Sequence, residues 1–243
     1  MTDLPAASPT PVPGLGLWAR IWGVLTSPKE TFADIVARPR WFGMLLVAIL
    51  VTSVCTGGFL MTSVGKQAYL DNQVRATERF GGQVSEAQYA TMEKMATYAA
   101  PITVVSVAVF TPLMWAMLAG ILFAVFNAAL GGEGSFKQVF AVLAYSSAVT
   151  VIQQFFVTPL NYVRETMTSA TNLAVFLPML DEGSFLARLL GMVDLFLIWW
   201  VFVLAVGLGV LYRRKTGPIA IGLYAVYGVI AVVVAALFGR AGA

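Results

Sequence analysis

The sequence predicts an all-α fold, a polytopic membrane bundle of about five transmembrane helices with its N-terminus in the cytoplasm and its C-terminus outside. Three observations predict it. Of 243 residues, 59% are apolar and 11% charged, against about 45–50% and about 25% in a soluble domain. The apolar residues come in blocks of about 20, the length that crosses a hydrocarbon core of about 30 Å at about 1.5 Å per helical residue. Lys and Arg also collect on alternate connections, as cytoplasmic loops require.

Residues 1–14 carry Pro5, Pro9, Pro11, Pro13 and Gly14, which cannot sustain a helix and read as a disordered cytoplasmic tail. No charged n-region, apolar h-region and cleavage site mark a signal peptide, so the N-terminus is expected to be retained. Residues 15–38 read as cytoplasmic interfacial amphipathic helices. In the first, Leu17, Trp18, Ile21, Trp22 and Leu25 recur at helical spacing with Arg20 on the other side. The second starts at Ser27 as N-cap, Pro28 at the first helical position and Glu30 reaching back. Phe32, Ile35 and Val36 form its apolar face, Pro39 stops it, and Arg38, Arg40 and Trp41 make a basic and aromatic collar.

Residues 39–243 then form the membrane domain, with spans at about 42–64, 102–130, 140–157, 186–212 and 219–238. The first contains Thr52, Ser53, Cys55, Thr56, Gly57 and Gly58, small residues that allow close helix contact. A hydrophilic loop follows, broken at Gly81 and Gly82 into two short helices, the second opening on a capping box of Ser85 and Gln88. Pro112 is expected to kink the second span, and Gly131 to Ser135 turn into the third. Residues 158–185 form a second loop, whose apolar stretch 173–180 is too short to cross. Arg213, Arg214 and Lys215 join the last two spans. Placing the N-terminus inside puts these three with Arg20, Lys29, Arg38, Arg40 and Lys137 in the cytoplasm, and both polar loops outside.

Composition narrows the chemistry. The chain has no His, and Cys55 is its only cysteine. Intrachain disulfides, the usual nitrogen and thiolate metal sites and conventional Ser or Cys triads are therefore not expected. The formal charge of +3 includes no basic run of the kind that binds nucleic acid. The turn 131–135 lacks the Gly-Lys-Ser or Gly-Lys-Thr of a phosphate loop and joins two membrane spans. No enzyme, cofactor or metal is expected. The expected partners are the lipid bilayer and possible other membrane proteins or a second copy.

Two groups of residues stand out. Asp194 is the acid well inside a span, in the run Gly191-Met-Val-Asp194-Leu-Phe-Leu-Ile-Trp199-Trp200. Such a group costs about 2.5–3.5 kcal/mol at mid-bilayer on insertion scales and should face protein or water. Ser146, Thr150 and Gln153 form a polar stripe on the third span, with Gln154 beside them and Tyr145 adjacent. Asp194 with this stripe reads either as an ion or proton relay or as a hydrogen-bonded staple between helices. No second buried carboxylate completes a relay. Trp18, Trp22, Arg20 and Lys29 form a candidate partner or interface surface, or an anchor in the headgroup layer.

The residues Ser27-Pro28-Lys29-Glu30-Thr31-Phe32, then Gly134-Ser135-Phe136 with Ala144-Tyr145-Ser146, then Val193-Asp194-Leu195-Phe196-Leu197-Ile198-Trp199 resemble, in order and spacing, the bacterial branch of the Yip1 domain family. The resemblance runs from about residue 18 to 235. It implies five membrane helices, a cytosolic N-terminus, a far-side C-terminus and, for the bacterial branch, the inner membrane. Eukaryotic members resemble adaptors for Rab-type GTPases in vesicle traffic. This chain lacks their Asp-Leu-Tyr-Gly-Pro segment, carries Ala144 in place of a glycine, and has Ser147, Ala148 and Val149 where a proline often follows Tyr-Ser. Two readings follow: a non-catalytic scaffold or adaptor for membrane organisation or protein trafficking, and a small transporter or channel with a polar site around Asp194.

Overall fold

A computed structural model describes residues 14–79, 82–177, 179–180 and 184–239. The tail's four prolines, Gly81 and the loop acids Asp181 and Glu182 lie outside the described residues. Within them the fold is helical, and its one bridge between extended segments pairs Asn172 with Asp194.

Helices α1 (Leu17–Thr26) and α2 (Pro28–Ala37) form a hairpin. The expected apolar face of α1 is rotated. Leu17, Ile21, Val24 and Leu25 pack inward together with Arg20, whereas Trp18 and Trp22 stay exposed. The hydrophobic spacing fits both faces, and an acid on α2 decides between them. Pro28 does open α2, but Ser27 makes no side-chain cap; its carbonyl instead accepts the Thr31 hydroxyl at 2.9 Å. Phe32 and Ile35 are fully buried, so the hairpin is part of the core.

Helix α3 (Phe42–Met61) ends earlier than the 42–64 reading, because Thr62 is extended and starts α4 (Ser63–Arg79). The Thr62 hydroxyl donates to Phe59 O at 2.7 Å and accepts from Gly65 N at 3.0 Å. A Cβ on Gly65 would lie 2.0 Å from Phe59 O, so only glycine fits this corner. Helix α5 (Glu86–Thr97) begins with the expected capping box of Ser85 and Gln88. Helix α6 (Ala99–Phe123) runs through Pro112 and widens into a π-helical turn, Ala124–Ala129.

The third span starts at Phe136, not near Phe140, because Ser135 and Gln138 form a second capping box. It comprises α7 (Phe136–Ser146) and α8 (Ala148–Val163), joined at Ser147. Three hydroxyls there bond back to their own helix: Ser146 to Val142 O, Ser147 to Ala144 O and Thr150 to Ser147 O, at 2.6–2.8 Å. Such back-bonding bends a helix. The fourth span is not one helix, since α9 (Phe185–Met192) and α10 (Leu195–Leu211) are separated at Val193 and Asp194. Helix α11 (Thr216–Gly239) completes the bundle.

Among the described residues, four helical stretches are long and apolar enough to cross a membrane: Phe42–Met61, Ala99–Ala129, Phe136–Val163 and Thr216–Leu237. Helix α10 is apolar but, at 17 residues, shorter. Together they make the chain a multi-pass integral membrane protein.

The core centres on α7, whose residues Val139 to Ser146 are all buried. Small residues at 141, 144, 146, 147 and 148 let neighbours approach closely. Gly207 on α10 is the tightest of these approaches. A Cβ there would sit 2.5 Å from Val142 Cγ1 and 3.0 Å from the Phe32 ring. Gly207→Ala is therefore expected to overpack the α2, α7 and α10 junction and destabilise by about 1–3 kcal/mol. Thermal unfolding in detergent checks this; a midpoint equal to that of the parent would mean the junction yields freely.

Candidate functional site

Breaking a helix inside an apolar region frees backbone groups that need partners. At the break between α9 and α10, each of the following is matched. Asp194 is extended (φ −103°, ψ 137°) and acts as N-cap of α10, its Oδ1 accepting from Phe196 N at 2.8 Å and Leu197 N at 3.3 Å. The Met192 carbonyl, freed at the end of α9, accepts the Tyr227 hydroxyl from α11. The segment after α8 folds back to supply the rest: Leu173 N donates to Val193 O at 2.9 Å, and Leu195 N donates to Thr171 O at 3.1 Å. Asn172, 5% exposed, caps the following 3-10 turn (Leu173–Phe176) by accepting from Val175 N.

The remaining capacity of the Asp194 carboxylate is also taken. Oδ2 accepts from Ser169 Oγ at 2.7 Å and Thr171 Oγ1 at 2.5 Å, and Oδ1 accepts from Gln153 Nε2 at 3.3 Å. Five donors from α8, the loop and the start of α10 thus converge on one half-buried side chain. An ionised carboxylate offers about four lone-pair directions, so this arrangement saturates it. Asp194 is a capping residue and a tie between segments, not a mid-helix acid.

Of the other residues grouped with it in the sequence, Gln153 is brought to Asp194. Ser146 and Thr150 bond back to Val142 O and Ser147 O, and Gln154 is half-buried beside Gln153 on α8. Tyr145 lies eight residues before Gln153, about 12 Å along the helix, and belongs to a different cluster. Ser169 and Thr171 were missed because 158–185 reads as an outer loop. Their signal is the run Ser169-Ala-Thr171-Asn172, short polar side chains suited to local caps.

The second cluster is built on Arg20. Its side chain, 1% exposed, meets Asp34 Oδ2 through Nε at 2.8 Å and Nη2 at 2.7 Å. Nη1 donates to Arg38 O at 3.1 Å, and the guanidinium lies 5.7 Å from the centre of the Tyr145 ring. This corrects the expectation that Arg20 faces outward as part of a partner surface: a buried guanidinium requires a carboxylate, and Asp34 one hairpin turn away supplies it. Trp18 and Trp22 (70% and 69% exposed) and Lys29 remain on the surface.

The glycine turn before α7 is closed by its surroundings. Asn127 Nδ2 donates to Gly134 O at 2.5 Å, and a Cβ on Gly132 or Gly134 would meet the Tyr212 ring at 2.5 or 3.0 Å. It is a packed interhelical turn. Among the described residues no three His, Cys, Asp or Glu side chains cluster as metal ligands would.

A family model described as Yip1 domain matches residues 22–238. No curated protein and no solved structure matches the chain.

Proposed function

Because the chain belongs to the Yip1 domain family, generally non-enzymatic membrane proteins, we propose that it is a non-catalytic scaffold or adaptor that organises other proteins or lipid in the membrane. We place it in a bacterial inner membrane, with the hairpin of α1 and α2 on the cytoplasmic side; the excess of Lys and Arg at that end supports this orientation.

The observation that carries the reading is the saturation of Asp194. A relay or ion site must offer the carboxylate a changing partner such as water, an ion or a proton acceptor. Asp194 instead holds five protein donors, two of them backbone groups of its own helix. This supports reading the group most suited to transport chemistry as part of the fold, with surfaces, not a pathway, as the working part.

Deleting α1 and α2 would not test the idea, since Val24, Phe32 and Ile35 are core residues. Photo-crosslinkers placed singly at Trp22, Val109 and Val229 of the full chain avoid that problem, all three sites being exposed. In the native membrane, discrete protein adducts are expected at one or more of them. Lipid adducts alone at all three would sink the reading as an adaptor for proteins. So would an ion or solute flux in reconstituted vesicles that Asp194→Asn abolishes.

A further inference from the structure

The end of the bundle that carries the hairpin has two unusual surfaces side by side. Helix α1 turns its one cation inward and its large aromatics outward, the reverse of what a helix in water would do. Leu17 lies against Gly43, where a Cβ would stand 3.2 Å from Leu17 Cδ2. Trp18 is thus level with the start of α3, at the end of an apolar span, where indole rings favour the headgroup layer.

Around that level lie the cations. Arg40 after α2, Lys137 at the start of α7, and Arg213 and Lys215 between α10 and α11 are all exposed. They are carried on segments that are fastened to one another. Gln138 Nε2 donates to Val36 O at 3.1 Å, joining the start of α7 to the end of α2. Arg214 Nη2 donates to Leu130 O at 2.6 Å, joining the turn before α11 to the turn before α7. Tyr212 stacks on Phe126 with ring centres 4.8 Å apart at 18°, and packs on Gly132 and Gly134. Arg213 is held at φ 52°, a left-handed conformation set by the tight turn.

The opposing charge at this end is small. Asp34 is occupied by Arg20, Glu30 sits beside Lys29, and Glu133 is the exposed acid of the glycine turn. At the other end Lys66, Arg75, Arg79 and Lys94 are balanced by Asp71, Glu78, Glu86 and Glu93.

We propose that Arg40, Lys137, Arg213 and Lys215 form a preassembled docking surface for the acidic headgroups of phospholipids in the adjacent leaflet. This goes beyond the adaptor reading and does not depend on it. The tethers matter because cations already held together lose less freedom on binding than cations on loose loops. A cation near an anionic lipid surface contributes about a fivefold gain in binding, weakened by salt.

The test uses the full-length protein in mixed micelles of detergent with equimolar phosphatidylcholine and phosphatidylglycerol, with bound lipid quantified after affinity capture. The parent is expected to retain phosphatidylglycerol over phosphatidylcholine by about tenfold or more, given several cations at about fivefold each. Raising the salt to about 1 M should bring the ratio towards parity, since screening then acts within about 3 Å. The combination Arg40→Gln, Lys137→Gln, Arg213→Gln and Lys215→Gln should bring it to within about twofold of parity. The set Lys66→Gln, Arg75→Gln and Lys94→Gln should leave it unchanged. The proposal is overturned if the parent shows no preference, if the preference survives high salt, or if the two sets of substitutions lower it equally. The salt arm needs no variant and stands if the fourfold substitution fails to fold.

Discussion

Asp34→Ala is expected to destabilise the protein by about 3–5 kcal/mol, the cost of leaving a buried charge without its partner. Most of the effect falls on Arg20, which is 1% exposed and cannot shed its proton. Without Asp34 the partners its guanidinium keeps among the described residues are the Arg38 carbonyl and the face of Tyr145. The reverse change should cost less. Arg20→Met leaves a carboxylate that is 19% exposed and has Arg38 Nη1 3.6 Å away, so a loss of about 1–2 kcal/mol is expected, near the low end for an unpaired polar group. Removing both charges in Arg20→Met with Asp34→Leu should recover most of the stability lost in Asp34→Ala, because a buried ion pair rarely outperforms apolar residues of similar volume. Thermal unfolding of the three variants in one detergent gives the ordering. If Asp34→Ala costs no more than Arg20→Met, the guanidinium is finding water or another partner.

The same pair shows where sequence reading succeeds and where it stops. Block length and hydropathy locate the apolar segments well, because crossing a hydrocarbon core is a constraint on consecutive residues. The capping box at Ser85 and Gln88 was legible for the same reason, being written within four residues. Arg20 was not. Leu17, Trp18, Ile21, Trp22 and Leu25 satisfy helical spacing on a face that includes the tryptophans, and the observed face differs by a rotation that only Asp34 and Tyr145, from other elements, determine. The split of the fourth span was half legible. Asp is a favoured N-cap, and Asp194 stands directly before an unbroken apolar run, so a helix start was available from the sequence. Hydropathy reads straight across it because Phe185–Met192 is itself apolar, and nothing local announces that Ser169 and Thr171 return to meet the carboxylate.

Asp194 is therefore the residue at which structural and transport roles separate most cleanly, because alanine and asparagine are expected to behave differently. Asp194→Ala removes the cap of α10 and strands the hydroxyls of Ser169 and Thr171 and the amide of Gln153. With about 0.5–2 kcal/mol for a lost cap and about 1–3 kcal/mol for a buried donor left unpaired, discounted because the site is half-buried, a total of about 2–4 kcal/mol is expected. Asp194→Asn keeps an oxygen for Phe196 N, Leu197 N and Gln153. Its amide nitrogen meets two hydroxyls, and each of these can rotate to accept instead of donate. That variant should fall within about 1 kcal/mol of the parent, since Asn caps helices about as well as Asp. A proton or ion relay predicts the opposite pattern, with asparagine folding normally yet losing every function that depends on the charge. Measuring stability and crosslinked partners of both variants side by side decides the matter. Asparagine that keeps its partners while alanine loses stability marks Asp194 as a tie between α8, the returning loop and α10, whereas asparagine that is stable but loses partners or a flux would give the carboxylate's charge a function of its own.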